Sequence, residues 1–148
     1  MFRQDIKPFQ NFTLVSGGMT FANEGCAITI IFDGVEQEIG GFFTVRKVKN
    51  LVKQMYKLGH IDEEFTVQGH PGWVGCFKVA GLQIKAMHYV TDPDYICSHN
   101  EREFLKLVKP GYAHFVRGDG KGHYSWDSLG IRPQQKEYHV AEKWVYTI

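Results

Sequence analysis

The stretch from Gly111 to Gly130, Gly-Tyr-Ala-His-Phe-Val-Arg-Gly-Asp-Gly-Lys-Gly-His-Tyr-Ser-Trp-Asp-Ser-Leu-Gly, constrains the chain more than any other. Tyr112 to Arg117 alternates and is rich in strand-forming residues. Gly118-Asp119-Gly120-Lys121-Gly122 is a turn, because its glycines tolerate the positive φ that tight chain reversal needs. His123 to Asp127 is the returning arm of the resulting β-hairpin. His114 stands early on the outgoing arm and Asp127 late on the returning one, so antiparallel pairing can set them side by side. A carboxylate beside a histidine fixes its tautomer and stabilises its charged form, which a general base requires. The group to be activated must come from elsewhere, and Cys26 in Asn23-Glu24-Gly25-Cys26-Ala27 is the obvious one.

A chain of 148 residues is enough for one domain, read as 1–148, with a substantial core. The formal net charge of +1 gives no reason to expect nucleic acid as a partner. No apolar run is long enough to cross a bilayer, and no signal peptide is read at the start, so neither membrane insertion nor secretion is expected. Three widely spaced cysteines, Cys26, Cys76 and Cys97, fit free thiols in a reduced compartment, such as a cytoplasm or the interior of a phage particle. The seven histidines show no His-x-x-x-His spacing and no Cys-x-x-Cys pair occurs, so no metal is expected, and no cofactor either. Gly118 to Gly122 lacks the oxygen ligands of a calcium loop and the Lys-Ser/Thr ending of a phosphate loop.

Along the chain, Ser16-Gly17-Gly18 marks an early loop. Ala27 to Phe32 is ambiguous. Its isoleucines favour a strand, whereas Asn23 can cap a helix starting near Gly25, and local evidence places strand ahead. Asp33 to Gly41 reads as a turn. Thr44 caps a helix whose Val45, Val48, Leu51, Val52, Met55 and Leu58 recur at helical spacing with lysines opposite, ending at Gly59. Pro71 opens a short helix through Trp73, Cys76 and Phe77 that Gly81 ends. Leu82 to Val90 alternates as a strand. Ser98 to Glu101 matches a capping box, which predicts a short helix with Phe104, Leu105 and Val108 on its apolar face. Tyr138 to Ile148 is a last strand. A helix-rich first part and a strand-rich second part make the chain α+β.

The order of these features resembles the papain-like cysteine peptidases of the bacteriocin-processing (double-glycine leader) group. The resemblance spans roughly residues 4–130 and is carried by Gly25-Cys26, by Phe104 to Gly111 leading into Ala113-His114-Phe115-Val116, and by Tyr124-Ser125-Trp126-Asp127-Ser128. It implies a papain-like α+β fold with the N-terminal helical part packed on a C-terminal antiparallel sheet. It implies that Ala27 to Phe32 is helical, against the local reading. Position by position, Cys26 matches the nucleophile, His114 the general base and Asp127 the residue that orients it. An upstream glutamine amide that completes the oxyanion hole falls on Gln10, with Gln4 second; Gln10 stands further from Cys26 than the family pattern places it.

Each of these residues has a plainer interpretation. A cysteine after glycine is ordinarily a small buried hydrophobe, a strand histidine a satisfied core residue, and an aspartate before serine the start of a turn. The coincidence of all three favours a thiol hydrolase cleaving a peptide or amide bond through a thioester. Its substrate would be a peptide, a protein or a peptidoglycan stem peptide. The competing expectation is a catalytically silent module of the same fold, an accessory or structural part of a phage or bacterial assembly held by an assembly partner.

Overall fold

The computed structural model describes residues 4–92, 94–126 and 138–148, with 124–126 described by backbone alone. The chain divides into two compact units, Met1–Gln83 and Ile84–Ile148. The boundary falls where helical periodicity gives way to strand alternation. Helices come first and an antiparallel sheet after, the order of an α+β chain.

In the first unit a 3₁₀ turn, Lys7–Phe9, precedes α1 (Phe21–Glu24), α2 (Cys26–Ile39), α3 (Val45–Lys57) and α4 (Gly69–Ala80). The entry segment is fixed by rings. Phe9 and Phe21 stand 4.8 Å apart, Phe12 and Phe21 5.9 Å, and Phe65 packs edge-on against Phe12 and Phe21 at 5.8 and 5.4 Å. Offset and edge-on rings at such separations add attraction beyond the area they bury. Phe65 reaches this cluster from a left-handed backbone, φ 62, uncommon for a bulky residue. The Asp62 carboxylate holds that turn by accepting from the N–H groups of Glu64 and Thr66, both at 2.9 Å.

α2 is helical from Cys26 onward, as the resemblance implies and against the local preference for a strand. Every residue from Ala27 to Glu36 is buried. A segment covered on all sides meets a helix's hydrogen-bonding demand internally, and that outweighs the modest cost of β-branched side chains. Thr29 adjusts by returning its hydroxyl to the Gly25 carbonyl at 2.8 Å. The turn expected over Asp33 to Gly41 is a correction: the helix runs on through Gly34, and the chain reverses only at Gly40 and Gly41, with φ of 76 and 84. α3 matches its sequence pattern. The Thr44 hydroxyl accepts from the Lys47 N–H at 3.2 Å, and Val48, Val52 and Met55 are fully buried. α4 has Pro71 in its first turn and stops at Gly81, φ 111, where N–H groups of Gly81 and Leu82 both reach the Phe77 carbonyl.

In the second unit β1 (Ala86–Val90), β2 (Glu101–Lys109), β3 (Tyr112–Gly118), β4 (Tyr124–Trp126) and β5 (His139–Thr147) form one sheet in the order β1-β5-β2-β3-β4. Every described pairing is antiparallel. β2 corrects the helix expected over residues 98–108, and with it the helix that entered the resemblance. The capping-box contact forms: the Glu101 carboxylate accepts from the Ser98 N–H at 2.8 Å. It closes a turn rather than opening a helix, because the alternation that follows, Glu103, Leu105, Leu107 against Arg102, Phe104, Lys106, suits two-sided burial between β3 and β5. The Gly118–Gly122 turn and the last strand stand where the sequence places them, and the first strand begins at Ala86 rather than Leu82.

Candidate functional site

Cys26 is the first residue of α2, behind Gly25 and half-buried. Gly25 is required there for space. A Cβ on it would lie 2.6 Å from the Phe21 carbonyl and 2.8 Å from the Phe21 ring. The aromatic cluster that holds Phe21 therefore fixes the turn from which Cys26 emerges. A helix N-terminus leaves N–H groups without intrahelical partners, and these together with the dipole favour a thiolate or a developing oxyanion.

The two glutamines differ. Gln4 is buried, and its amide nitrogen donates to the Ala22 carbonyl at 3.1 Å, in the turn that leads to Cys26. Gln10 is exposed, and its amide donates at 3.4 Å to the Asp5 carbonyl. The fold thus ties Gln4, not Gln10, to the segment carrying Cys26.

His114 lies on β3 opposite Leu107 and is 2% exposed. Residues paired directly share a face, so His114 continues the buried apolar strip of Leu105, Leu107 and Val116. Tyr112 and Tyr138 rim it: the Tyr112 ring stands 6.4 Å from the imidazole and 6.0 Å from Tyr138. Lys109 lies over Tyr138 at 4.8 Å. The described β3–β4 ladder stops at Arg117–Trp126, and Asp127 lies outside the described residues. Cys26 belongs to the first unit and His114 to the second.

Sequence reasoning missed a buried polar site in the second unit, since no local pattern marks it. Glu103 and Lys143 pair at 2.8 Å with side-chain exposures of 0% and 6%. One Glu103 oxygen accepts from the N–H groups of Gly120 and Gly122 at 3.0 and 2.8 Å. Lys143 also donates to the Tyr95 carbonyl. A side chain at Gly118 would overlap the Glu103 carboxylate. The glycine turn is therefore built onto a buried ion pair. At its tip burial works to raise the Asp119 pKa, but N–H groups of Lys121 and His123 and the His123 ring outweigh it and hold the carboxyl below its ordinary range. A cavity of about 360 Å³ nearby is lined by Tyr89, Asp92, Leu105, Gly122, Val140 and Lys143 among others, with no cysteine or histidine among the described residues of its wall.

Of the other two thiols, Cys76 is buried and Cys97 half-buried. Burial pushes the Cys76 thiol up to about 12. Burial, and after it the charge of Glu103 3.9 Å away, pushes Cys97 up to about 11.

No family model matches the chain, and comparisons with curated proteins and with solved structures give no match either.

Proposed function

We propose that the chain is a papain-like thiol hydrolase acting on a peptide or amide bond. Cys26 is the nucleophile, His114 the general base and Asp127 the residue that orients the imidazole. The thiolate adds to the carbonyl carbon, the amine leaves with a proton from His114, and water then releases the acyl group from sulfur with His114 as base. The substrate is a peptide, a protein or a peptidoglycan stem peptide, and an amine in place of water would make the same site a transferase. The observation that carries this reading is the place of Cys26, half-buried, at the head of a fourteen-residue helix that is buried from Ala27 to Glu36. Gln4, tied to the turn before Cys26, suits the second oxyanion donor better than Gln10 does.

The test is iodoacetamide labelling read residue by residue from about pH 5 to pH 8. Selective alkylation of Cys26 well below pH 8, lost in His114→Ala and weakened in Asp127→Ala, supports the hydrolase. Slow labelling of all three thiols alike, unchanged in either variant, supports the catalytically silent assembly module, which the outward-facing Gln10 favours.

A further inference from the structure

We propose that the outer face of α3 docks on an anionic lipid bilayer, peripherally and without a crossing helix. The observation is a row of uncompensated cations. α3 carries Arg46, Lys47, Lys49, Lys53 and Lys57 and no acidic residue, in a chain whose formal net charge is only +1. Arg46, Lys49, Lys53 and Lys57 are spaced three, four and four apart, so they fall on one stripe opposite the buried Val48, Val52 and Met55. At 1.5 Å per residue the stripe is about 16 Å long. Among the described residues none of these cations forms an ion pair with a carboxylate. Lys49 and Lys53 are drawn over the same ring, their ammonium groups 5.5 and 6.0 Å from the centre of Phe12. Two like charges held over one ring repel each other, and a facing anion relieves that repulsion.

Charge alone would suit any polyanion. The ends of the helix favour a bilayer. Before α3 the glycine reversal at Gly40 and Gly41 leaves Ile39 57% and Phe42 78% exposed, and after it Leu58 is 55% exposed. Ile39 and Leu58 offer nothing for bases to stack on, whereas shallow burial among acyl chains rewards Ile, Phe and Leu alike. A row of cations with exposed apolar side chains near both helix ends is the composition of a surface that lies on anionic headgroups; Leu58 follows Lys57 by about 100° around the helix and flanks the stripe rather than extending it. No described helix is long and apolar enough to cross the membrane, so docking stays at the interface. This inference is independent of the hydrolase reading.

The experiment is co-sedimentation of the full chain with phosphatidylcholine vesicles containing about 30% phosphatidylserine, against vesicles of phosphatidylcholine alone, at low and high salt. The chain is expected to bind the anionic vesicles at low salt and to leave them as salt rises. Each cation near such a surface is worth roughly fivefold in partitioning, so Arg46→Gln with Lys57→Gln should weaken binding about 25-fold. Both side chains are exposed, and an unchanged thermal melt will show that the fold survives. Phe42→Ser should weaken binding several-fold at any salt. Equal partitioning of the parent between the two vesicle types overturns the proposal, and that result needs no variant. So does a folded double variant that binds as the parent does, or a DNA duplex that binds more tightly than the vesicles and is indifferent to Phe42→Ser.

Discussion

Glu103 and Lys143 meet at 2.8 Å in the interior of the second unit, and the same carboxylate holds the glycine turn between β3 and β4 through the N–H groups of Gly120 and Gly122. The pair spans the sheet diagonally, because Leu105, two residues on from Glu103, is the register partner of Lys143. Charges taken out of water are tolerated when their hydrogen-bonding capacity is used up, and here both groups are engaged on more than one side.

Removing one partner should therefore cost more than removing both. Glu103→Gln or Lys143→Met alone is expected to destabilise the chain by about 3–5 kcal/mol, since each leaves a buried charge without its counterion. The double variant should recover part of that loss. Urea midpoints of the four proteins check this, and single variants within about 0.5 kcal/mol of the parent would show that the pair contributes nothing.

The pair also explains what could be read from the sequence and what could not. α3 was legible because its signals are local: Thr44 caps it, and one face repeats every three or four residues. The hairpin turn was legible because glycines dictate it. β2 was not legible. Its inward Glu103 looks like a solvent-facing charge until Lys143, far along the chain, is placed beside it, and its Ser98–Glu101 contact is shared by helix starts and turns. α2 misled the local reading for a related reason. Burial on all sides, which the sequence does not announce, decides between helix and strand for a run of isoleucines. Of the proposed site, residue order singles out Cys26 and His114, whereas the preference for Gln4 over Gln10 depends on a buried contact to Ala22.

Cys76 makes stability pH-dependent at the alkaline end. Its folded pKa of about 12 stands above the ordinary thiol value of 9.0, so the folded state retains a proton that the unfolded chain gives up. The stabilisation is complete below pH 9 and is lost as pH rises from there towards 12. Between pH 8 and pH 10 the loss should be about 1 kcal/mol from Cys76, with a smaller part from Cys97, which water still reaches. Urea unfolding at the two pH values measures it. Cys76→Ala should flatten the slope by that amount while lowering stability at both, and an unchanged slope would rule out the thiol as its source.

Gly25→Ala tests the packing that positions Cys26. The new methyl must displace the Phe21 carbonyl or ring, which is expected to cost about 1–3 kcal/mol, as overpacking does in other cores. The start of α2 should shift with it, so alkylation of Cys26 should slow while that of Cys76 and Cys97 does not. Unaltered stability and labelling would mean that the entry turn absorbs the methyl freely.

Gln4 and Gln10 can be separated by the kind of chemistry asked of Cys26. Acylation by an activated ester passes through a tetrahedral oxyanion; alkylation by iodoacetamide does not. An amide that serves as an oxyanion donor should therefore matter to the first reaction only. With Gln4 in that role, Gln4→Ala should slow acylation of Cys26 by roughly a hundredfold and leave alkylation near the parent rate, whereas Gln10→Ala should leave both unchanged. Gln4→Ala also removes a buried hydrogen bond to Ala22, at a cost of about 1–3 kcal/mol, so the comparison belongs well below the melting temperature. Acylation and alkylation falling together would assign Gln4 to holding the turn before Cys26 and nothing more. A loss of acylation in Gln10→Ala alone would return the donor role to Gln10, and would require its amide to leave the Asp5 carbonyl when substrate binds.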